Sequence, residues 1–340
     1  MNTQSSARYY PAEWEKQNTV WLSWPHNEKE WGNKRLKRIK EFYKKLIQII
    51  LKFQNVNLII PDEEFLEETS NSISQQKYKL KKIIIPNNDI WIRDYGPFFM
   101  KNKINKKGRG EATSPLLLDF EFNAWGGKFP PWNYDNKVPK EIASYTGSVI
   151  ESYPVILEGG ALEFSGNGLI LTTEECVLNK NRNAKLKKAA IEKIIKDAFN
   201  IEEILWLKHG LANDHTDGHI DNVARFIDKR TVLICSAEDK RSENYERLKP
   251  SIELLKKHKK LKTIELLLPN VSKDLPASYA NFIFVNGGII LPTFNCKNDE
   301  KALLAFKKLF PKRQVVGIDS SLLIEEGGGI HCMSKQECVS

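Results

Sequence analysis

Apolar and polar positions recur along this chain in a repeating order. "VILEGGALEF" (155–164) is a β-rich apolar run broken by glycines, "SGNG" is a hairpin signal, and "LILTTEECVL" (169–178) is a second apolar run. "AKLKKAAIEKIIKDAF" then spaces its apolar residues at helical intervals, and "IEEILWL" reads as another strand. The order returns in "DHTDGHIDNVARFI", "TVLICSA", "ENYERLKPSIELLKKH" and "KTIELLL". It returns again in "YANFIFV", "IILPTF", "DEKALLAFKKLF" and "RQVVGID". Each unit is a polar loop, strand, hairpin, strand, helix and strand, with a period of roughly 50–65 residues.

Two further units complete the set. "IIIPNNDIWIRDYGPFFM" through "LLLDFEF" opens one, with "EIASYTG" and "VIESYP" as its helix and outer strand. The last is split between the ends of the chain: the tail "LIEEGGGIHCMS" pairs with "TVWLSWP". "KEWGNKRLKRIKEFYKKLIQIILKF" is its helix and "NVNLIIP" its outer strand. Joining the ends closes a ring and leaves no unpaired first or last blade. The pattern predicts an α/β fold, a five-fold pseudo-symmetric α/β propeller with its site at the centre, occupying residues 1–340 as a single domain. An ordinary open α/β sheet is the alternative, and it fits a hairpin in every unit less well.

The chain of 340 residues is 41% hydrophobic and 28% charged, a globular balance rather than a disordered one. A net charge of +9 raises the question of an anionic partner. The lysines, however, fall mainly on solvated faces of amphipathic helices, with no basic stripe carrying interleaved aromatics, so no nucleic-acid partner is expected. No apolar run approaches the ~20 residues that span a bilayer, and "MNTQSSARYYPAEWEKQ" has no apolar core of a signal peptide. The five cysteines are odd in number, scattered and free of C-x-x-C pairs, which argues against a disulfide framework and a zinc site. The expectation is a cytoplasmic protein without membrane partner, with homo-oligomerisation left open.

In a ring, the polar loops that start each unit converge. They are "NNDIWIRDYGP", "LEGGALEF", "NDHTDGHID", "PASYANF" and "EGGGIHC". Together they supply a thiol (Cys332), an imidazole (His219) and several carboxylates, among them Asp94, Glu158, Asp214 and Asp221. Cysteine plus histidine is the minimum set for nucleophilic catalysis. If "HID" lies on a strand, His219 and Asp221 share a face. Carboxylates around a thiol are wrong for an oxyanion and right for a cation. A guanidinium is planar, permanently charged and forms bidentate pairs with carboxylates. Asp89 and Asp217, in "NND" and "TDG", read as turn-formers. No metal or cofactor is needed for such chemistry.

Across nearly the whole chain the residues resemble the agmatine deiminases and the related bacterial peptidyl-arginine deiminases, of the guanidine-modifying five-bladed propeller superfamily. The resemblance rests on "TVWLSWPHN", "NDIWIRDYGPFF", "DFEFNAWGGKF", "EGGALEFSGNGLILTTEECVLNKNRN", "DGHIDNVARF", "SYANF" and "GGGIHC". It implies hydrolytic deimination of a small cationic guanidine, with Cys332 as nucleophile and His219 as general acid/base. Asp94 and Asp221 would hold the guanidinium, Glu158 would orient the histidine, and Trp91 would line the channel. Gly329 and the His215–Asp214 pair would complete the substrate site. Each has a plainer alternative: Asp94 in an ion pair with Arg93, Glu158 capping a glycine turn, Trp91 as core packing. One departure stands out. The family carries an acid four residues before the catalytic histidine, facing the distal amine of agmatine, and this chain has His215 there, with Asp214 as a substitute acid. Another alkylguanidine, peptidyl-arginine, transfer to an amine, or plain guanidinium binding are the alternatives.

Overall fold

The computed structural model describes residues 8–70, 77–102, 115–271 and 275–339. The ends of the expected domain, 1–7 and 340, lie outside the described residues. Among the described residues the chain forms a mixed α/β fold with five small sheets, and the same order of elements builds each.

The sheet centred on Thr231–Ser236 shows why. "TVLICS" is β-branched and apolar, and every residue of it is buried. It pairs antiparallel with Ala224–Phe226 and parallel with Lys262–Leu267. A parallel pair needs a crossover, and the helix Glu243–Lys257 supplies it. The outer strand is only partly buried, so its residues are mixed in polarity. The same plan joins Ile283–Val285, Gly288–Thr293 and Gln314–Asp319 through the helix Asp299–Leu309. It joins Glu163–Phe164, Leu169–Thr173 and Glu203–Leu207 through Lys188–Phe199. It joins Phe98–Asn102, Leu116–Glu121 and Val149–Ile156 through Val138–Thr146.

The fifth sheet ties the chain ends together. Lys335–Cys338 pairs antiparallel with Gln17–Ser23, which pairs parallel with Asn55–Ile60. Its crossover helix Asn33–Ile50 buries Leu36, Ile39, Tyr43, Leu46, Ile47 and Ile50 on one face, leaving its lysines on the other. Each such burial stabilises by about 1.5–3 kcal/mol. Two details differ from the sequence expectation. The pairing strand is "KQEC", just beyond the glycine–cysteine motif, which itself lies in turns. "LKKII" (Leu80–Ile84) is a fourth, parallel strand of this sheet and not the start of the next unit.

Among the described residues, no helix is long and apolar enough to cross a membrane. The apolar core of the end-joining sheet runs up to Trp91, Ile92 and Cys332, so its packing fixes one wall of the site.

Candidate active site

The glycine run before Cys332 exists because of close approaches. A Cβ at Gly328 would lie 2.3 Å from the Trp91 ring, and one at Gly329 would lie 2.2 Å from Asn281 Oδ1. Only bare backbone fits between these two side chains. The turn is fixed by Arg93 N–H donating to Cys332 O at 3.0 Å and by His331 N–H donating to Asn281 Oδ1 at 2.9 Å. Asn281 Nδ2 points at Cys332 Sγ from 3.3 Å.

Three other loops meet that thiol. Asp94 sits on the single helical turn Ile92–Tyr95. Its Oδ1 accepts from Gly160 N–H at 2.8 Å, and its Oδ2 accepts from Trp125 Nε1–H at 2.9 Å. His219 precedes the 3-10 turn Ile220–Asn222 and brings Nδ1 to 3.7 Å from Asp94 Oδ1. Asp221, in that turn, has Oδ2 at 2.8 Å from His331 Nδ1 and 3.9 Å from Cys332 Sγ. Among the described residues, neither ring nitrogen of His219 nor Asp221 Oδ1 has a hydrogen-bond partner, although all three are buried. Such orphaned atoms mark a place where a ligand completes the bonding. Gly160 stands at the point of convergence: a Cβ there would lie 2.6 Å from His219 Nδ1, 2.9 Å from Asp94 Oδ1 and 3.1 Å from Asp221 Oδ2.

The electrostatics are asymmetric. Burial, then Asp221 and Asp94, push the Cys332 thiol well above its usual range, so the free protein holds it protonated. Burial opposes charge on His219, but Asp94, Cys176 and Glu158 overcome it and hold the imidazolium well above its ordinary value. Asp94 is raised by burial, with His219 opposing and Asp221 adding to the shift. Asp221 is lowered: burial works against its charge, and the hydrogen bond and charge of His331 prevail.

From the thiol a cavity of about 130 Å³ leads outward, walled by Trp31, Trp91, Trp125 and Phe129. Glu30, Asp89, Glu325 and Glu326 also line it. A cation would meet aromatic faces and carboxylates along this path. Glu158, Cys176 and His219 place donor atoms within 4.8 Å of one another, a set that suits a soft divalent metal. Arg182 Nε, however, lies 2.6 Å from Glu158 Oε1 and puts a guanidinium beside the same group.

The family model described as Porphyromonas-type peptidyl-arginine deiminase matches residues 9–338. The chain belongs to this peptidyl-arginine deiminase family. An agmatine deiminase of Pseudomonas putida (strain KT2440) is 31% identical, over 97% of this chain and 95% of its own. The structure of a Cys-to-Ser variant of C. jejuni agmatine deiminase with substrate bound superposes with a TM-score of 0.89, at 33% identity, over 100% of this chain and 99% of that one. Agmatine deiminase of Enterococcus faecalis superposes with a TM-score of 0.87, at 29% identity, over 98% and 96%. This family member is a hydrolase acting on carbon–nitrogen bonds, of the agmatine deiminase-like type.

Cys332, His219, Asp94 and Asp221 come together, and Trp91 and His215 line the cavity. His219 and Asp221 converge for a different reason than strand alternation, since His219 precedes a 3-10 turn and Asp221 lies within it. Arg93 turns away from Asp94 and bonds Gln336 Oε1 at 2.7 Å. Glu158 stands beside His219 with its Oε1 on Arg182. Asp214 is consumed by its own turn, accepting from Thr216 N–H and Oγ1–H and from Asn222 Nδ2–H. Gly329 packs under Asn281 and, off the cavity wall, keeps its backbone against the Cys332 thiol.

Some residues were missed. Trp125 is held with φ of 54°, a strained value for a tryptophan, and its indole fixes Asp94. Asn281 stood in the quoted "SYANF" without a role. Asp89, read as a turn-former, faces the cavity beside Trp31, and burial, with a contribution from Glu30, pushes its carboxyl up to about 7. Asp217 does form a turn, at φ of 64°, and also pairs with Lys128 and Arg182.

Proposed function

We propose that this protein hydrolyses a guanidinium substrate through a covalent amidino-cysteine, with agmatine as the substrate and N-carbamoylputrescine and ammonia as products. The observation that carries the reading is the meeting of an imidazole and two carboxylates around the bare Gly160, with the Cys332 thiol beside one of the carboxylates. Asp94 and Asp221 grip the guanidinium, and its charge offsets the two anions that keep the Cys332 thiol protonated. The thiol proton leaves to solvent, and the thiolate attacks the guanidinium carbon. The His219 imidazolium protonates one amino group, the carbon–nitrogen bond breaks, and ammonia departs. His219, now neutral, takes a proton from water. The resulting hydroxide adds to the thiouronium carbon, the carbon–sulfur bond breaks, and a ureido product leaves. Asn281 Nδ2 steadies the sulfur through both steps.

The recurring order of elements in the five sheets of the described residues, with Gln17–Ser23 and Lys335–Cys338 sharing one of them, supports a five-fold α/β propeller that is a single domain with this site at its centre. All five cysteines are free, as a reducing cytoplasm would leave them. A second reading, another alkylguanidine or peptidyl-arginine, draws on His215, which lines the cavity where the family has an acid.

Ammonia release and identification of the ureido product across agmatine, free arginine and peptidyl-arginine test the assignment. Mass spectrometry during turnover should find an adduct on Cys332. Cys332→Ser should be inactive, whereas Cys338→Ser, beyond the turn, should behave as wild type. Turnover by the Cys332 variant would remove the covalent mechanism.

A further inference from the structure

Behind Asp221 lies a buried charged cluster that the proposed reaction does not use. His331 bridges two carboxylates: Nδ1 is 2.8 Å from Asp221 Oδ2 and Nε2 is 2.8 Å from Glu13 Oε2. Glu13 comes from the N-terminal segment and is also fixed by Arg225 Nη2 at 2.7 Å and by the Phe284 N–H at 3.2 Å. Arg225 continues to Glu163 Oε2 at 2.9 Å and to the carbonyls of Ala280 and Phe282. Arg93 Nη2 stands 3.9 Å from Glu13 Oε2, and its Nε donates to His331 O at 3.2 Å. Glu13, Asp221, His331, Arg93, Arg225 and Glu163 are all buried.

Ionised carboxylates only accept hydrogen bonds. Burial opposes charge on Glu13, yet Arg225, His331 and Arg93 hold it ionised far below the usual range. Asp221 is likewise held low. A neutral imidazole between two such acceptors would set a nitrogen lone pair against a carboxylate oxygen at 2.8 Å. Burial, Arg225 and Arg93 favour losing the ring proton and, against Glu13 and the bond to Asp221, lower the ring's pKa from its ordinary value. The two short contacts at opposite nitrogens decide in favour of keeping both protons. Other ionisable groups near the cluster are Tyr10, whose hydroxyl burial keeps neutral, and Lys335, whose ammonium burial and Arg93 push well below its usual range. Glu163, raised by burial to about 7 with Arg225 opposing, completes the set.

We propose that Glu13 and His331 are positioning residues: a permanent imidazolium at His331, anchored by Glu13, holds Asp221 by Oδ2 and leaves Oδ1 free for the substrate guanidinium. The proposal rests on the reading that Asp221 binds the guanidinium. It gives the N-terminal segment a part in the site, three hydrogen bonds from the substrate. It also accounts for the order His331–Cys332, since one turn then places the nucleophile and the support of its neighbouring carboxylate together.

The test begins with unmodified protein carrying ¹⁵N-histidine. His331 signals, assigned by their absence in His331→Gln, should show both ring nitrogens protonated from about pH 6 to 9. A single-tautomer pattern, or titration inside that window, overturns the proposal. Glu13→Gln should then let His331 lose a proton within the window and raise the KM for agmatine about tenfold, with a smaller change in kcat. A merely structural role would not couple the ring's protonation to KM, and an unchanged KM and ring state in Glu13→Gln also overturns it. Asp221→Asn separates the two layers. Full turnover in that variant would remove Asp221 from guanidinium binding and the positioning role with it. Lost turnover together with a neutral His331 would overturn the positioning role alone.

Discussion

Gly160→Ala is the smallest change that should disable the site. The added carbon would sit 2.6 Å from His219 Nδ1 and 2.9 Å from Asp94 Oδ1, against an ordinary contact of 3.4 Å or more. His219 must therefore retreat by about 0.8 Å. Neither side chain has room, since His219 is fully buried and Asp94 is held from both sides by Trp125 and the Gly160 N–H. The backbone itself is not strained, because Gly160 does not occupy the left-handed region. A misplacement of about 1 Å at a reacting group costs on the order of 10²-fold in rate, or about 2.7 kcal/mol. Steady-state ammonia release from agmatine should show kcat/KM down about 100-fold, and circular dichroism should show a folded protein. Gly317→Ala is the control: its carbon meets Thr293 and Leu303 at 3.3 and 3.4 Å in another sheet, and turnover should survive. If Gly160→Ala keeps more than about half of wild-type kcat/KM, the three groups do not converge on the reacting carbon and the site has been drawn wrongly.

The remaining expectations concern charge. Asp94→Asn removes one of the anions that hold the Cys332 thiol up, so alkylation of Cys332 by neutral iodoacetamide at pH 8 should accelerate several-fold while turnover collapses; an unaltered alkylation rate would show that Asp94 does not act on the thiol. Asp89, raised to about 7, binds its proton more tightly in the folded chain than in the unfolded one, so it costs stability as pH rises from about 4 to 7. Asp89→Asn should then raise Tm at pH 8 and leave it unchanged at pH 4, and equal shifts at both would refute the sign. His215→Glu restores the family's acid and should lower the KM for agmatine about five- to thirty-fold, the effect of one ion pair of about 1–2 kcal/mol. A KM that stays or rises would mean that the carboxylates already lining the cavity hold the amine, or that the natural substrate has no cation at that end.

What local pattern determines was legible from the sequence. The spacing of Leu36, Ile39, Tyr43, Leu46 and Ile50 fixes a helix face, and the glycine run before Cys332 signals close approach. The four central site residues were found by residue type and resemblance, but the geometry assumed for "HID" was a strand where a 3-10 turn occurs. A turn reads poorly because Asp214 and Thr216 build it through side-chain bonds that also fit a strand end. Asp214 could have been excluded: Asp two residues before Thr is an Asx-turn arrangement, and such an acid is already committed. Glu13, Trp125 and Asn281 had no local signal. Glu13 meets His331 across 318 positions, and only the packing of five sheets creates that contact.

Charge balance links binding to chemistry in this site. Glu158 has Arg182, and Asp221 Oδ2 has His331, but Asp221 Oδ1 has no partner among the described residues, and Asp94 shares a single imidazole with other groups. Burial, and then these anions, keep the neighbouring thiol neutral. A guanidinium entering the gap supplies the missing positive charge, so the interaction that binds it also makes thiolate formation easier. A neutral amide or urea supplies no such charge and would leave the sulfur protonated. The ureido product is neutral in this sense. In the proposed reaction, conversion of the guanidinium to a ureido group loses both ion pairs at the reacting end, and the returning thiolate is again beside two carboxylates and takes up a proton. The same two aspartates that favour the substrate in the proposed reaction thus disfavour its product, and the loss of charge promotes release.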